Sequence, residues 1–288
     1  MTTATRPAVR ETALTIPALD GFPLAASRFG AEGIETGRVI LVSPATGVRR
    51  GIYRRLAGFL AGRGAVVVTW DWRGTGESRP ESLRGFAASL RTWAEQDLGG
   101  VLRWARDSHP GAKVALIGHS FGGQALGLLP EAAHLDAAVT LAAQSGYLGH
   151  WPWRLRLPLI GLWYAVMPAL AYLFGYFPSR RLGFGEDLPR DVALEWAGWC
   201  RRPEFVGDWS GHRRFKVPVL GFSFDDDPIA PRRAVDALHA EFGGAVTRRH
   251  LTPAELGVRR LGHFEFLRPG VAPALWEEVA DWLDVHAA

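Results

Sequence analysis

The chain has 288 residues, of which 48% are hydrophobic and 22% are charged, and this composition excludes a disordered or fibrous protein. Its single cysteine, Cys200, excludes an internal disulfide framework and a zinc site made of several cysteines, and it suits a reducing compartment. The formal net charge is +4, but the 33 basic residues are interspersed with acidic ones, so we predict no nucleic-acid partner.

The first thirty residues lack the uninterrupted apolar core that a secretory signal requires. Each short apolar stretch in this region is broken by a proline or an aspartate, namely Pro7, Pro17, Asp20 and Pro23. We therefore predict a cytoplasmic protein.

Strand-like and helix-like segments alternate along most of the chain. Residues 13–17 and 23–29 flank the turn-forming pair Asp20-Gly21 and predict an antiparallel hairpin at a sheet edge. Strands are predicted at 38–43, 65–71, 113–118, 137–142, 217–224 and 246–251, and helices at 51–63, 89–107, 121–133, 231–242 and 272–285. Most of these strands are rich in Val, Ile and Leu, which is typical of a parallel sheet covered on both faces. The pattern predicts a doubly wound, mostly parallel α/β domain built from residues 1–144 and 208–288.

Residues 145–207 interrupt this alternation and predict an inserted, tryptophan- and proline-rich helical lid over the sheet. Within them, residues 157–179 carry no charge and lie between two pairs of arginines, which meets the length criterion for a membrane span. Pro158 and Pro168 interrupt the segment, and a span would separate two halves of one sheet. We expect a buried or substrate-facing lid, with peripheral membrane contact as the alternative.

The sequence Gly118-His119-Ser120-Phe121-Gly122 has the G-x-S-x-G pattern of a nucleophile elbow. The bare pattern is common, but here it follows a predicted strand and opens a predicted helix. Ser120 would then lie on a tight turn, beside the free backbone N–H groups at the start of a helix. An ordinary glycine-rich turn is the alternative.

A serine nucleophile needs a base and a group that orients the base. Asp225, Asp226 and Asp227 follow a predicted strand, at the edge where open α/β sheets hold their sites, and one of them could be the acid. Calcium binding is not expected, because the spacing of a calcium loop is missing. His263 follows the last predicted strand and is the candidate base, whereas His119 should point away from the reacting face.

A second oxyanion donor is expected in the loop after the strand 38–43, alongside the N–H of Phe121. Pro44 has no N–H to donate. The N–H of Ala45 is the first candidate by position, and that of Thr46 is the second. An ordinary strand-to-helix turn is the alternative.

Four motifs in order resemble the α/β-hydrolase superfamily over nearly the whole chain: G-H-S-F-G-G at 118–123, D-W-R-G-T-G-E-S at 71–78, D-P-I-A-P at 227–231 and G-H-F at 262–264. The segments 142–147, 175–189 and 262–267 are similar to poorly characterised bacterial hydrolases described as serine-aminopeptidase-like. The resemblance implies Asp227 as the acid. Ser43-Pro44 stands where the superfamily usually has His-Gly.

The residues and the resemblance together predict a serine hydrolase that cleaves an ester or related acyl bond of a hydrophobic small molecule. Its expected site residues are Ser120, Asp227 and His263, with Phe121 and Ala45 forming the oxyanion hole. No cofactor and no metal are expected, and Arg73 is expected to buttress the site. The alternatives are an acyltransferase with the same triad, or an inactive fold that binds a hydrophobic ligand or a membrane surface.

Overall fold

The structure is a computed structural model that describes residues 8–268 and 270–288. Residues 1–7, which belong to the predicted range 1–144 and to the N-terminal segment considered as a signal, lie outside the described residues.

Eight strands form one sheet in the order β1-β2-β4-β3-β5-β6-β9-β10. They are β1 (Val9–Pro17), β2 (Pro23–Ala31), β3 (Arg38–Ser43), β4 (Val66–Trp70), β5 (Lys113–His119), β6 (Ala137–Leu141), β9 (Val219–Phe224) and β10 (Val246–Leu251). The first two strands pair antiparallel with each other, β2 also pairs antiparallel with β4, and all other pairs are parallel. The predicted strands and the edge hairpin are therefore confirmed.

Helices cover both faces of the sheet because its central strands are apolar on both sides. The helices of the core are α1 (Arg54–Ala61), α2 (Leu90–Thr92), α3 (Gly99–Ser108), α4 (Phe121–Gln124), α8 (Ser210–Arg214), α9 (Arg232–His239) and α10 (Pro273–His286). A π-helical turn, Trp93–Leu98, joins α2 to α3, so the helix predicted at 89–107 is continuous but locally widened.

The helix predicted at 121–133 is much shorter than the sequence pattern indicates. It ends at Gln124 and continues as 3₁₀ turns at Ala125–Leu128 and Ala132–His134. Glycines favour helices poorly and Pro130 breaks them, and α8 packs so closely here that a Cβ on Gly127 would collide with the ring of His212. This prediction was wrong in length because tertiary packing is not visible in a local pattern.

Between β6 and β9, residues 145–207 form helices and one small hairpin. The elements are α5 (Trp153–Gly161), a π-helical segment (Leu162–Val166), α6 (Met167–Phe174), β7 (Tyr176–Phe177), β8 (Leu188–Pro189) and α7 (Arg190–Cys200). The first three form one continuous helix over Trp153–Phe174, which is long and apolar enough to cross a membrane. Its Trp163, Met167 and Ala171 are nevertheless buried within the same core cluster as α7, so the helix lies on the protein.

Candidate active site

Ser120 lies on the sharp turn between β5 and α4, at the carboxyl edge of the sheet. Its backbone has φ 51° and ψ −115°, a left-handed conformation that a residue other than glycine rarely adopts. The turn requires Gly118 and Gly122, because a Cβ on the first would collide with the backbone of Gly122 and Gly123, and one on the second with the backbone of Ser43. The local geometry is that of a nucleophile elbow.

A cluster of three aromatic side chains packs next to this turn. Trp72 stacks on Trp93 with ring centroids 5.6 Å apart, and Phe121 meets both rings edge-on. The indole N–H of Trp72 donates to the carbonyl of Pro44 at 3.0 Å, which fixes the loop after β3 against the same cluster. Two of the twelve tryptophans therefore support the elbow.

Asp227 and His263 are brought into direct contact by the loops after β9 and β10. His263 Nδ1 lies 2.7 Å from Asp227 Oδ2, and both residues are buried. The other carboxylate oxygen, Oδ1, accepts the backbone N–H groups of Ile229 and Ala230 at 2.8 and 3.0 Å. Both carboxylate oxygens of Asp227 are therefore fixed by hydrogen bonds. In this position Asp227 can hold the imidazole of His263 by Nδ1 and leave Nε2 free for a substrate.

The two neighbouring aspartates have other positions. Asp226 accepts the backbone N–H groups of Leu261 and Gly262 at 3.0 and 2.9 Å, so it shapes the loop that carries His263. Asp225 is exposed and lies 3.6 Å from the ring of His250. Of the three carboxylates, Asp227 is the one in contact with the histidine.

The structure does not join His263 to Ser120 by a hydrogen bond within the described residues. The two are connected through His119, whose Nε2 lies 2.9 Å from the carbonyl oxygen of His263. The rings of His119 and His263 have centroids 4.9 Å apart. A hydrogen bond between serine and histidine is often long in the free state of such sites and tightens in the substrate complex.

His119 is part of a buried network that the sequence does not reveal. A carbonyl oxygen can only accept a hydrogen bond, so the Nε2–H of His119 donates to the carbonyl of His263. Burial, together with the nearby His263, holds the pKa of His119 well below its usual value, and the ring is therefore neutral. Its Nδ1 must then accept from the hydroxyl of Tyr53 at 2.8 Å, and that hydroxyl accepts the N–H of Ala45 at 2.9 Å. The expectation that His119 points away misses this role, since nothing in the sequence links Tyr53 to it.

The network changes the predicted oxyanion hole. The N–H of Ala45 is used by the Tyr53 hydroxyl, so in this structure it is not a free donor, and its assignment as the first candidate is corrected. The N–H groups of Thr46 and Phe121 donate to no protein acceptor in the described part of the chain. Thr46, the second candidate by position, therefore remains as a candidate donor beside Phe121.

A cavity of about 710 Å³ lies beside these loops. Apolar side chains of Val48, Ile52, Phe264 and Leu267 line it, together with the arginines Arg49, Arg54, Arg55 and Arg268. Phe264 follows His263 and Gly47 belongs to the loop after β3, so the cavity lies next to the loops that carry the candidate groups, although Ser120, Asp227 and His263 do not line it. Over residues 8–268 and 270–288, no three His, Cys, Asp or Glu side chains are grouped as metal ligands.

Arg73 supports the structure around this edge of the sheet. Its Nε donates to Asp97 at 2.6 Å and its terminal nitrogens donate to Asp20 at 2.6 and 2.8 Å. Arg73 and Asp97 are both buried, so each compensates the desolvation of the other. These contacts agree with the expected buttressing role of Arg73.

Replacing Tyr53 by phenylalanine should destabilise the fold, because the buried N–H of Ala45 and Nδ1 of His119 both lose their partner. We expect the free energy of unfolding to fall by about 1–3 kcal/mol, measured by denaturant titration. Tyr147→Phe is the matched control, because the Tyr147 hydroxyl has no hydrogen bond among the described residues. Equal midpoints for Tyr53→Phe and wild type would contradict the network.

Comparison with known proteins supports the architecture. Residues 35–172, just under half of the chain, match the profile of a family described as serine aminopeptidase, S33. No curated protein sequence matches the chain. The chain resembles a highly thermostable carboxyl esterase from Bacillus coagulans, with 13% identity, a TM-score of 0.66, and coverage of 96% of this chain and 99% of that one.

Two further esterases have a similar structure. One, from Exiguobacterium antarcticum, has 16% identity and a TM-score of 0.60, with coverage of 96% of this chain and 99% of that one. The other, from Pyrococcus furiosus, has 16% identity and a TM-score of 0.64, with coverage of 97% and 92%. At these identities the likeness establishes the fold, and the predicted α/β-hydrolase fold is confirmed.

Proposed function

We propose that this chain, a member of the α/β-hydrolase superfamily, is a serine hydrolase that cleaves a carboxylic ester or related acyl bond of a hydrophobic small molecule. The observation that carries the proposal is the placement of Ser120 on a strained turn at the same sheet edge as the buried Asp227–His263 pair. Strain of this kind persists only where the surrounding structure enforces it, and it is common at nucleophiles.

In the proposed reaction, Ser120 Oγ attacks the acyl carbon while His263 Nε2 takes its proton. The carbonyl oxygen becomes an oxyanion, which the N–H groups of Phe121 and Thr46 stabilise. The bond to the leaving group then breaks, and the proton passes from His263 to the departing alcohol. Water, deprotonated by the same histidine, attacks the acyl-serine and releases the acid and the free enzyme.

Asp227 positions the base throughout this cycle. Its Oδ2 holds the Nδ1–H of His263 and stabilises the imidazolium that forms at each proton transfer. Its Oδ1 is fixed by two backbone N–H groups, so the carboxylate does not need to reorganise during the reaction. Asp226, His119 and Tyr53 act through the loops and are positioning residues.

The apolar side chains that line the nearby cavity, alongside its arginines, favour a substrate with a hydrophobic acyl or alcohol group. In this proposal residues 145–207 act as the lid of the site: the backbone N–H of Glu186 donates to the carbonyl of Gly47 at 2.8 Å, and the indole of Trp151 donates to the carbonyl of Pro228 at 2.9 Å. The segment thereby contacts both the loop after β3 and the loop of the acid. We also propose that the protein is cytoplasmic and that it has no nucleic-acid partner.

Two alternatives use the same geometry. In an acyltransferase, an alcohol instead of water would take the acyl group from Ser120, and product analysis with competing alcohols distinguishes the two. An inactive protein would bind a hydrophobic ligand without turnover. The Asp227–His263 pair favours an enzyme, because a binding protein needs no base.

A fluorophosphonate probe tests the proposal directly. We expect one adduct per chain by intact mass, located on Ser120 by peptide mapping, together with hydrolysis of p-nitrophenyl esters that the adduct abolishes. An adduct on another serine would contradict the assigned nucleophile. Absence of both labelling and turnover across esters from acetate to laurate would overturn the hydrolase.

A further inference from the structure

The continuous helix Trp153–Phe174 exposes a row of large apolar side chains. Among its exposed residues are Trp153, Leu157, Ile160, Tyr164, Tyr172 and Leu173, and Leu182 and Phe184 continue the surface beyond the helix. Leu157, Leu173 and Phe184 are 70%, 71% and 71% exposed. Single exposed apolar residues are common on protein surfaces, whereas a larger patch of them marks an interaction site. We call these eight residues the exposed apolar face.

The opposite side of the helix is attached to the protein. Trp163, Met167 and Ala171, spaced four residues apart, are buried, and the ring of Trp163 lies 5.1 Å from that of Trp196 on α7. A helix that crossed a bilayer would have to leave these contacts. The apolar face is therefore a surface of the folded protein and not one side of a membrane span.

The charges in the segment that carries this face are basic, and Arg180 lies 3.8 Å from the buried Glu186, which follows the segment. Residues 137–185 contain no aspartate and no glutamate, and they contain four arginines: Arg154, Arg156, Arg180 and Arg181. Arg154, Arg180 and Arg181 are exposed, and Arg154 and Arg181 lie over the rings of Trp153 and Phe174. An apolar face with arginines at both ends and aromatic residues between them is typical of segments that lie in a membrane interface.

A second copy of the chain fits this surface less well than a lipid does. In a two-fold symmetric dimer the face would meet itself, which places arginines against arginines with no carboxylate in the segment to pair with them. Anionic phospholipids supply negative charge for the arginines and an apolar layer for the exposed side chains.

We propose that the exposed apolar face docks on the surface of an anionic phospholipid bilayer, with the helix Trp153–Phe174 parallel to the membrane plane. Leu157, Leu173 and Phe184 enter the acyl region, and the arginines contact the lipid phosphates. This inference does not depend on the proposed hydrolase activity. It makes the protein a peripheral one whose binding weakens as salt screens the surface charge.

Cosedimentation of the full chain with vesicles tests the proposal. With phosphatidylcholine vesicles containing about one-third phosphatidylglycerol, we expect binding that falls sharply in pure phosphatidylcholine and at high salt. The double substitution Leu157→Gln and Leu173→Gln should weaken binding at least about tenfold. Arg154→Gln with Arg181→Gln should weaken it by about 30-fold, since both side chains are exposed on the face and each arginine near such a surface contributes about a factor of five.

Val285→Gln is the matched control, because Val285 is an equally exposed apolar residue on the C-terminal helix α10, at 75% exposure. It should bind vesicles as the wild type does, and so should Ser120→Ala, which separates membrane docking from catalysis. Equal binding to neutral and anionic vesicles, or equal loss in the Val285 variant, would overturn the proposal. So would a concentration-dependent dimer that the leucine substitutions dissociate and that does not bind vesicles.

Discussion

Substitution of Ser120 by alanine is expected to lower kcat for ester hydrolysis by about 10⁶-fold, the loss that removal of the nucleophile causes in serine proteases. The reason is that the acyl-enzyme can no longer form, while the oxyanion donors and the cavity remain. The Oγ of Ser120 makes no hydrogen bond to the protein within the described residues, so the fold should lose little stability. Initial rates with the best ester of the panel, together with a thermal melt, measure both effects.

Ser27→Ala is the matched control for this prediction. Ser27 is a buried serine on β2, 5% exposed against 8% for Ser120, and its hydroxyl accepts only a long contact from Arg50 at 3.2 Å. Its rate should stay within about twofold of the wild type, since small changes away from the site leave transition-state contacts intact. If Ser120→Ala kept more than about one-hundredth of the activity, the nucleophile would have to be another group.

The sequence was sufficient to predict which residues meet in the candidate site because a parallel sheet brings the carboxyl ends of its strands to one edge. Ser120 and Asp227 each follow a strand that an apolar run predicts, His263 follows the predicted last strand 246–251, and β5, β9 and β10 form near the positions expected. The chain order of the three residues and the glycines around Ser120 are visible without coordinates. The parallel arrangement of the strands then brings these residues to one edge of the sheet, and predicting this requires only the order of the strands along the chain.

The sequence could not reveal which hydrogen-bonding groups are already in use. By position, Ala45 is the natural oxyanion donor; only the fold shows that the Tyr53 hydroxyl lies beneath it and takes its N–H. Likewise His119 occupies a position that the G-x-S-x-G pattern leaves open, yet its ring joins the elbow to the loop that carries His263. Contacts between residues 66 and 144 positions apart leave no local signal in a single chain.

For the helical insertion, residues 145–207, the sequence likewise predicts the elements but not their contacts. Its composition predicts helices and an apolar character, but a helix of uncharged residues can be buried, span a bilayer or lie on a surface. Only the three-dimensional arrangement separates Trp163 and Met167, which pack inward, from Leu157 and Leu173, which face outward.

Asp227→Asn is expected to lower kcat by about 10⁴-fold with little change in the fold. The asparagine carbonyl must take the place of Oδ1, because two backbone N–H groups, from Ile229 and Ala230, point at that position. Its NH₂ group then faces Nδ1 of His263, which can only accept from it. The proton is forced onto Nε2, the atom that must receive the proton of Ser120, so the base is blocked by its own tautomer.

Asp226→Asn provides the decisive comparison, because the residue is adjacent, of the same type and also bound to two backbone N–H groups. Both its oxygens accept, from Leu261 and Gly262, so an amide would leave one of those groups unpaired and cost about 1–3 kcal/mol of stability. It does not touch the imidazole, and kcat should fall far less than in Asp227→Asn. Thermal melts and steady-state rates on both variants separate the roles: a 10⁴-fold loss in Asp226→Asn with an active Asp227→Asn would transfer the acid to Asp226.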